Sequence, residues 1–230
     1  MPEEIIWPVW EPNQPLAPFM DYTLLKADAG AKDFIRLCEE AKAHNFYSVC
    51  VNGGWVRLCR ERLSGTNVKV NAVIGFPFGS HATRAKAFEA AAAIDDGASE
   101  IDMVLPIGKL IDGDYETVER DIAAVVQAVQ GGALVKVILE MGMLTQEQQA
   151  HGGRLAEEAG ADFIQTSTGF GGAGASEADI RYLRAEISAS MGIKAAGGIR
   201  STASAVALLR AGANRIGSSS GMDIVNGQMK

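Results

Sequence analysis

The sequence lacks the features that would place the chain in several common classes. No apolar run reaches the roughly 20 residues that a membrane span needs. The opening Met1-Pro2-Glu3-Glu4 carries no basic stretch of the kind that begins a secretory signal. A cytoplasmic, untargeted protein with no membrane partner is therefore expected. Positive charge is scarce: 21 Lys and Arg stand against 28 Asp and Glu, a formal net charge of -7. A nucleic-acid partner calls for the opposite balance, so none is expected. The only cysteines are Cys38, Cys50 and Cys59, odd in number and placed on segments that read as helix, strand and helix, which favours reduced thiols over disulfides. His44, His81 and His151 are scattered over helices and a loop without the spacing of a ligand cluster, so no metal is expected. Low-complexity segments and a second compositional region are also missing.

What is present is repetition. Within 230 residues, 47% of them hydrophobic, short runs rich in Val, Ile, Leu and Phe alternate eight times with longer segments of helical period. The runs fall near 18–23, 47–51, 69–75, 99–105, 134–140, 162–166, 192–196 and 213–217. Each is apolar on both faces, as in a parallel sheet covered by helices. Thr145 with Gln148 and Ser176 with Asp179 have the spacing of capping boxes, and Gly97, Gly160 and Gly212 follow helical patterns as terminators. Eight such units can close into a (β/α)8 TIM barrel, an α/β fold, whereas an open doubly wound sheet usually has fewer strands. The domain reading is a single barrel over 18–225 preceded by an N-terminal cap segment over 1–17. That cap contains Trp7 and Trp10 and is too rich in proline to be a barrel unit. The last residues, Asn226 to Lys230, are expected to fray.

In such a barrel the chemistry sits at the C-terminal ends of the strands, and alternate residues face the interior. The polar residues at those positions are Asp21 and Thr23 on the first strand, Cys50 and Asn52 on the second, Asp102 on the fourth, Lys136 and Glu140 on the fifth, Gln165 and Ser167 on the sixth and Lys194 on the seventh. A buried lysine costs several kcal/mol, on the order of the penalty for any unpaired interior charge. Two reasons for Lys136 and Lys194 stay open: a structural ion pair with Asp102, Glu140 or Asp21, or an amine of lowered pKa beside a carboxylate, as proton transfer next to a carbonyl requires.

Seven strand-end motifs, in order and spacing, resemble the deoxyribose-phosphate aldolases. They are Asp21-Tyr22-Thr23-Leu24-Leu25-Lys26, Ser48-Val49-Cys50-Val51-Asn52, Val73-Ile74-Gly75-Phe76-Pro77, Glu100-Ile101-Asp102-Met103-Val104, Lys136-Val137-Ile138-Leu139-Glu140, Thr166-Ser167-Thr168-Gly169-Phe170 and Lys194-Ala195-Ala196-Gly197-Gly198-Ile199-Arg200. The resemblance implies a class I aldolase that joins acetaldehyde to glyceraldehyde 3-phosphate through a lysine imine, without a cofactor, and relatives that often form homodimers. It also implies roles. Lys194 matches the family's second lysine, Asp102 its proton-relay carboxylate, Thr23 a hydroxyl near the substrate and Cys50 a pocket cysteine, although a small buried hydrophobe suffices for Cys50. A phosphate is expected on Gly169, Gly197, Gly198, Ser219 and Ser220, where close backbone approach and a following helix N-terminus favour an anion. The serines could equally cap that helix.

The resemblance implies a lysine immediately before Thr-Ser-Thr-Gly, and here Gln165 stands there. A carboxamide nitrogen shares its lone pair with its carbonyl and forms no imine. Pro106 and Met141 also replace an asparagine and a threonine usual in the family, and with Ser167 they are assigned to a reshaped, partly apolar binding wall. Four readings follow for a small aldehyde or phosphorylated sugar. The aldol reaction runs on Lys194 or Lys136; a non-imine lyase, isomerase or cyclase reaction uses Asp102 or Glu140 as base with Lys194 stabilising an enolate; or the chain binds a phosphorylated ligand without turnover. The fourth reading takes Gly169-Phe170-Gly171-Gly172-Ala173-Gly174 as a dinucleotide fingerprint with Glu186 as its acid, against which stands its place in the sixth repeat instead of the first.

Overall fold

The computed structural model describes residues 7–228. Eight parallel strands close into a barrel in chain order: β1 (Met20–Leu24), β2 (Ser48–Asn52), β3 (Lys69–Ile74), β4 (Glu100–Val104), β5 (Leu134–Ile138), β6 (Phe163–Gln165), β7 (Gly192–Ala196) and β8 (Arg215–Ser218). β8 returns to pair with β1 through Met20 and Ile216. The (β/α)8 architecture expected from the eightfold pattern is the one observed. The strand expected over 134–140 stops at Ile138, because Glu140 turns the chain through a left-handed conformation at φ 57° and ψ 58°.

The outer ring comprises α1 (Ala31–His44), α2 (Val56–Arg62), α3 (Thr83–Asp95), α4 (Ile107–Ile111), α5 (Tyr115–Val129), α6 (Gln146–Glu158), α7 (Glu177–Glu186), α8 (Thr202–Arg210) and α9 (Gly221–Gln228). Helix α5 shows why these segments are helical. Val118, Ile122, Val125 and Val129 recur at helical spacing and are all buried, so one stripe docks on the sheet. The boxes of Thr145 with Gln148 and Ser176 with Asp179 open α6 and α7, and a third, Ser201 with Ser204, opens α8. Helix α9 continues through Asn226 to Gln228, where fraying was expected; residues 229–230 lie outside the described chain.

Alternation along the strands divides the molecule into an apolar sheath and a polar interior. Val49, Val51, Val70, Ala72, Ile101, Met103, Val135, Val137, Ile193 and Ile216 belong to the buried apolar core shared with the helices. Their neighbours Ser48, Asn71, Glu100, Asp102, Lys136, Lys194 and Arg215 are equally buried but face inward, since successive strand residues point to opposite faces. At the N-terminal end of the barrel, Phe163 lies against Gly192, where a Cβ would come within 2.3 Å of its ring. Trp7 packs on Phe163 at 4.4 Å between ring centroids and donates its indole N–H to the Ser190 carbonyl at 2.7 Å. Trp10 and Leu16 continue this segment into the core. The first six residues of the expected cap over 1–17 lie outside the described residues. No helix among the described residues is long and apolar enough to cross a membrane.

Candidate active site

Six charged side chains fill the barrel interior. Lys194 Nζ lies 2.6 Å from Asp21 Oδ2 and 2.5 Å from Asp102 Oδ2. Lys136 Nζ lies 2.6 Å from Glu100 Oε2 and 2.8 Å from Asp102 Oδ1. Arg215 Nη1 lies 2.8 Å from Asp21 Oδ1 and 3.5 Å from Glu100 Oε2, and its guanidinium covers the Tyr47 ring at 3.3 Å. Ser48 donates to Asp21 at 2.8 Å and Asn71 to Asp102 at 2.8 Å. Three cations thus meet three carboxylates in a charge-balanced network, which is the condition under which buried ions are tolerated. Strand spacing explains the geometry: Asp102 and Lys136 are register partners on β4 and β5, and Gln165 and Lys194 on β6 and β7. Gly217 is also required, because a Cβ there would approach Lys194 Cε to 2.8 Å.

The network fixes protonation. Burial alone would raise the Asp21 carboxyl, yet the charges of Lys194, Arg215 and Lys136 outweigh it and hold the group far below the usual carboxylate range. Asp102 is lowered in the same way, with burial overcome by Lys136 and Lys194. Burial would strip the proton from Lys194, but Asp102 and Asp21 overcome it and push the ammonium well above the ordinary lysine value. Lys136 is raised for the same reason by Asp102 and Glu100. Both amines are thus held toward the ammonium form by the carboxylates that touch them. Burial pushes the Cys50 thiol up to about 12.

Above this network, at the C-terminal ends of the strands, opens a cavity of about 240 Å³. Of the residues singled out from sequence, Thr23, Cys50, Asp102, Gln165, Lys194, Gly169, Gly197, Gly198 and Ser219 line it together. Others lie elsewhere. Asp21 and Lys136 are in the network beneath, and Ser167 is buried with its carbonyl accepting the Gln165 carboxamide N–H at 3.0 Å. Ser220 donates its amide to Ser218 Oγ at 3.0 Å and starts the turn into α9. Glu140 sits behind the loop between β6 and α7, its carboxylate accepting from the Thr168 amide at 3.2 Å and from the Thr168 hydroxyl at closer range. Pro106 precedes α4, and Met141 is packed in the outer core with its amide on the Thr166 carbonyl. The apolar wall assigned to them is supplied by Val73, Phe76, Phe170 and Ile199 instead. The reason is that the loops after β4 and β5 turn outward, into the helical layer.

Sequence reasoning missed Glu100, Arg215, Asn71 and Ser48 in the network, and Lys26, Phe76 and Arg200 on the cavity wall. Glu100 and Asp102 are two apart on one strand and so share a face, a period-2 signal that would have found Glu100. Arg215 and Gly217 stand in the same relation on β8. Two glycines of the dinucleotide-like stretch have packing reasons, a Cβ at Gly174 lying 2.3 Å from the Gly197 carbonyl and one at Gly171 lying 2.7 Å from Glu140 Cδ, while Gly169 and Gly172 adopt positive φ. Glu186 pairs with Arg154 at 2.6 Å.

Residues 17–227 match the family model described as DeoC/LacD family aldolase. The deoxyribose-phosphate aldolase of Geobacillus sp. (strain WCH70) is 50% identical over 213 residues, covering 93% of this chain and 96% of that protein. That of Thermococcus gammatolerans is 52% identical over 215 residues, covering 92% and 96%. Among solved structures, the deoxyribose phosphate aldolase of Aeropyrum pernix, described as a unique tetramer, superposes with a TM-score of 0.87 at 32% identity, covering 94% of this chain and 91% of that one. A closed barrel with a charged interior and a cavity at its strand ends, matched along nearly its whole length, belongs to the DeoC/LacD aldolase family.

Proposed function

We propose that the chain is a carbon–carbon lyase of the deoxyribose-phosphate aldolase type, acting on a small phosphorylated aldehyde or sugar, in which Gln165 occupies the position of the imine-forming lysine. Its carbonyl chemistry then proceeds without a covalent imine. The observation that carries this reading is the pairing of Gln165 with Lys194 across β6 and β7, with Lys194 held as an ammonium by Asp21 and Asp102. A carboxamide is no nucleophile, and an ammonium whose pKa is raised has no free lone pair. What Lys194 retains is positive charge and, with three N–H donors and two carboxylate neighbours, a donor for a ligand oxygen. Placed at a substrate carbonyl, it stabilises the enolate that forms when an adjacent C–C or C–H bond breaks. Asp102 lines the same cavity and is the nearest carboxylate to exchange a proton with that donor.

The phosphate end is assigned to Gly169, Gly197, Gly198 and Ser219, with Arg200 and Lys26 adding positive charge at the mouth. The loops of Gly197, Gly198 and Ser219 lead into α8 and α9, whose N-terminal ends favour an anion. Self-association is also proposed, from the tetrameric relative; light scattering of the purified chain tests it.

Borohydride trapping decides the central point. With acetaldehyde or 2-deoxyribose 5-phosphate, the chain should gain no covalent mass, whereas Gln165→Lys should gain an adduct at residue 165 together with retro-aldol activity. An adduct on Lys194 or Lys136 in the unaltered chain would overturn the proposal. The complete charge balance of the network favours one second reading, binding without turnover, since no side chain is left as a basic amine. Hydrogen–deuterium exchange at the α-carbon of a bound carbonyl compound separates the two: exchange means chemistry, and its absence alongside measurable binding means a ligand-binding protein.

A further inference from the structure

Four non-glycine residues among those described adopt positive φ: Asn13, Asn45, Gln130 and Glu140. Asn45 and Gln130 end α1 and α5, where a left-handed residue is ordinary. Glu140 ends no helix. It is charged, 2% exposed and left-handed immediately after β5, a conformation that persists only where the surroundings over-determine it.

Those surroundings are the loop that forms one wall of the cavity. Glu140 Oε2 accepts from both the amide and the hydroxyl of Thr168, and Thr168 Oγ1 in turn accepts from the Phe170 amide at 3.0 Å. One carboxylate therefore commits the amides on either side of Gly169. The Gly169 amide itself takes no partner among the described residues, and Gly169, at φ 84°, lines the cavity with Thr168 and Phe170. Gly171 closes over the same carboxylate, so that a Cβ there would sit 2.9 Å from Oε2.

We infer that Glu140 is a positioning residue: it fixes the Thr168–Gly171 loop so that, of the amides from Thr168 to Phe170, that of Gly169 is left to join the other loops in binding the anionic group of the ligand. This rests on the phosphorylated-ligand reading above and gives Glu140 a task other than that of a base. The carboxylate acts as an acceptor and not through its charge on the ligand, so a carboxamide can replace it.

The test measures the affinity of 2-deoxyribose 5-phosphate and of unphosphorylated 2-deoxyribose by calorimetry, with backbone hydrogen exchange of the 168–173 segment. Glu140→Ala should weaken the phosphorylated ligand by about tenfold or more, leave 2-deoxyribose little changed and speed exchange at Phe170, while Glu140→Gln should stay within about threefold of the starting chain. Gly171→Ala should weaken the phosphorylated ligand similarly, because it displaces the carboxylate, and should cause no further loss in the Glu140→Ala background. Unchanged affinity in a folded Glu140→Ala variant overturns the inference, as does equal damage from Glu140→Gln. Should Glu140→Ala fail to fold, Thr168→Val decides, with the same tenfold loss expected and unchanged affinity fatal. If the unaltered chain shows no preference for the phosphorylated sugar, the proposed ligand class falls, and unaltered exchange at Phe170 in Glu140→Ala would then remove the inference independently.

Discussion

Of the completely buried lysines, Lys194 and Lys86 sit in different settings. Lys194 lies between Asp21 and Asp102 under the cavity. Lys86, on α3, pairs with Asp121 on α5 at 2.7 Å and donates to the Val104 carbonyl at 2.8 Å, within the helical layer. Their protonation equilibria move in opposite directions. For Lys86, burial outweighs the touching Asp121 and the more distant Glu89 and lowers the pKa; for Lys194, burial is outweighed by Asp102 and Asp21, both in contact, and the pKa is raised. The lesson is that burial of a lysine is not itself a mark of function. What separates the two is the number of carboxylates in direct contact and whether a cavity lies above them.

Removing each lysine tests the comparison most severely. Lys194→Met should lower any turnover by about 10²–10⁴-fold, the range attributed to a positioned proton-transfer or charge-stabilising group, and should destabilise the barrel by leaving Asp21 and Asp102 short of one cation. Adding Asp102→Leu restores charge balance, so stability should return while turnover does not. Full activity in that double variant would make Lys194 as structural as Lys86.

Next in size, Lys86→Met should cost about 3–5 kcal/mol in denaturant unfolding by stranding Asp121. Lys86→Met with Asp121→Leu should recover most of it without altering ligand affinity. A change in ligand affinity in that double variant would contradict the assignment of this pair to structure alone.

The pH dependence sharpens the contrast. Asp21 and Asp102 titrate lower in the folded chain, so their contribution is present above the usual carboxylate range and is lost as pH falls through their folded values. The raised Lys194 contributes fully below the ordinary lysine value of 10.5 and loses that contribution as pH rises above it. Lys86 has the reverse sign: its lowered pKa makes stability rise with pH just below 10.5. Unfolding curves between pH 8 and pH 11, about the span of ordinary lysine titration, should therefore show a shallower alkaline decline in Lys194→Met/Asp102→Leu, with the raised Lys136 still contributing, and keep the full decline in Lys86→Met/Asp121→Leu.

The smallest effect concerns the thiol beside Lys194. Cys50, pushed up to about 12 by burial, stays protonated at pH 8 and should alkylate far more slowly than an unfolded cysteine. Rapid labelling by iodoacetamide in the folded chain would show that the cavity floor is wetter and more cationic than described.

Much of the fold is legible in the sequence because alternation and helical period are local. The runs near 47–51 and 192–196 read as strands from their own residues, and Thr145 and Ser176 announce the helices they cap. The site is legible only in part. Asp102 and Lys194 stand out as charges inside apolar strands, but Lys86 does not, because a lysine on a helix reads as solvated until Asp121, 35 residues away, is seen to face it. Pro106 and Met141 mislead for the opposite reason: adjacency to a strand end does not reveal whether the following loop turns toward the mouth or the helices. Glu140 requires a dihedral angle that no residue type announces.

The tilted packing of Trp7 against Phe163 has a consequence for solvent. Trp7 and Phe163 cover the N-terminal end of the barrel, while at the other end the cavity is lined by Asp102 and Lys194 of the charged network. A seated ligand dries the ions beneath it, and attraction between opposite charges grows as the local dielectric falls.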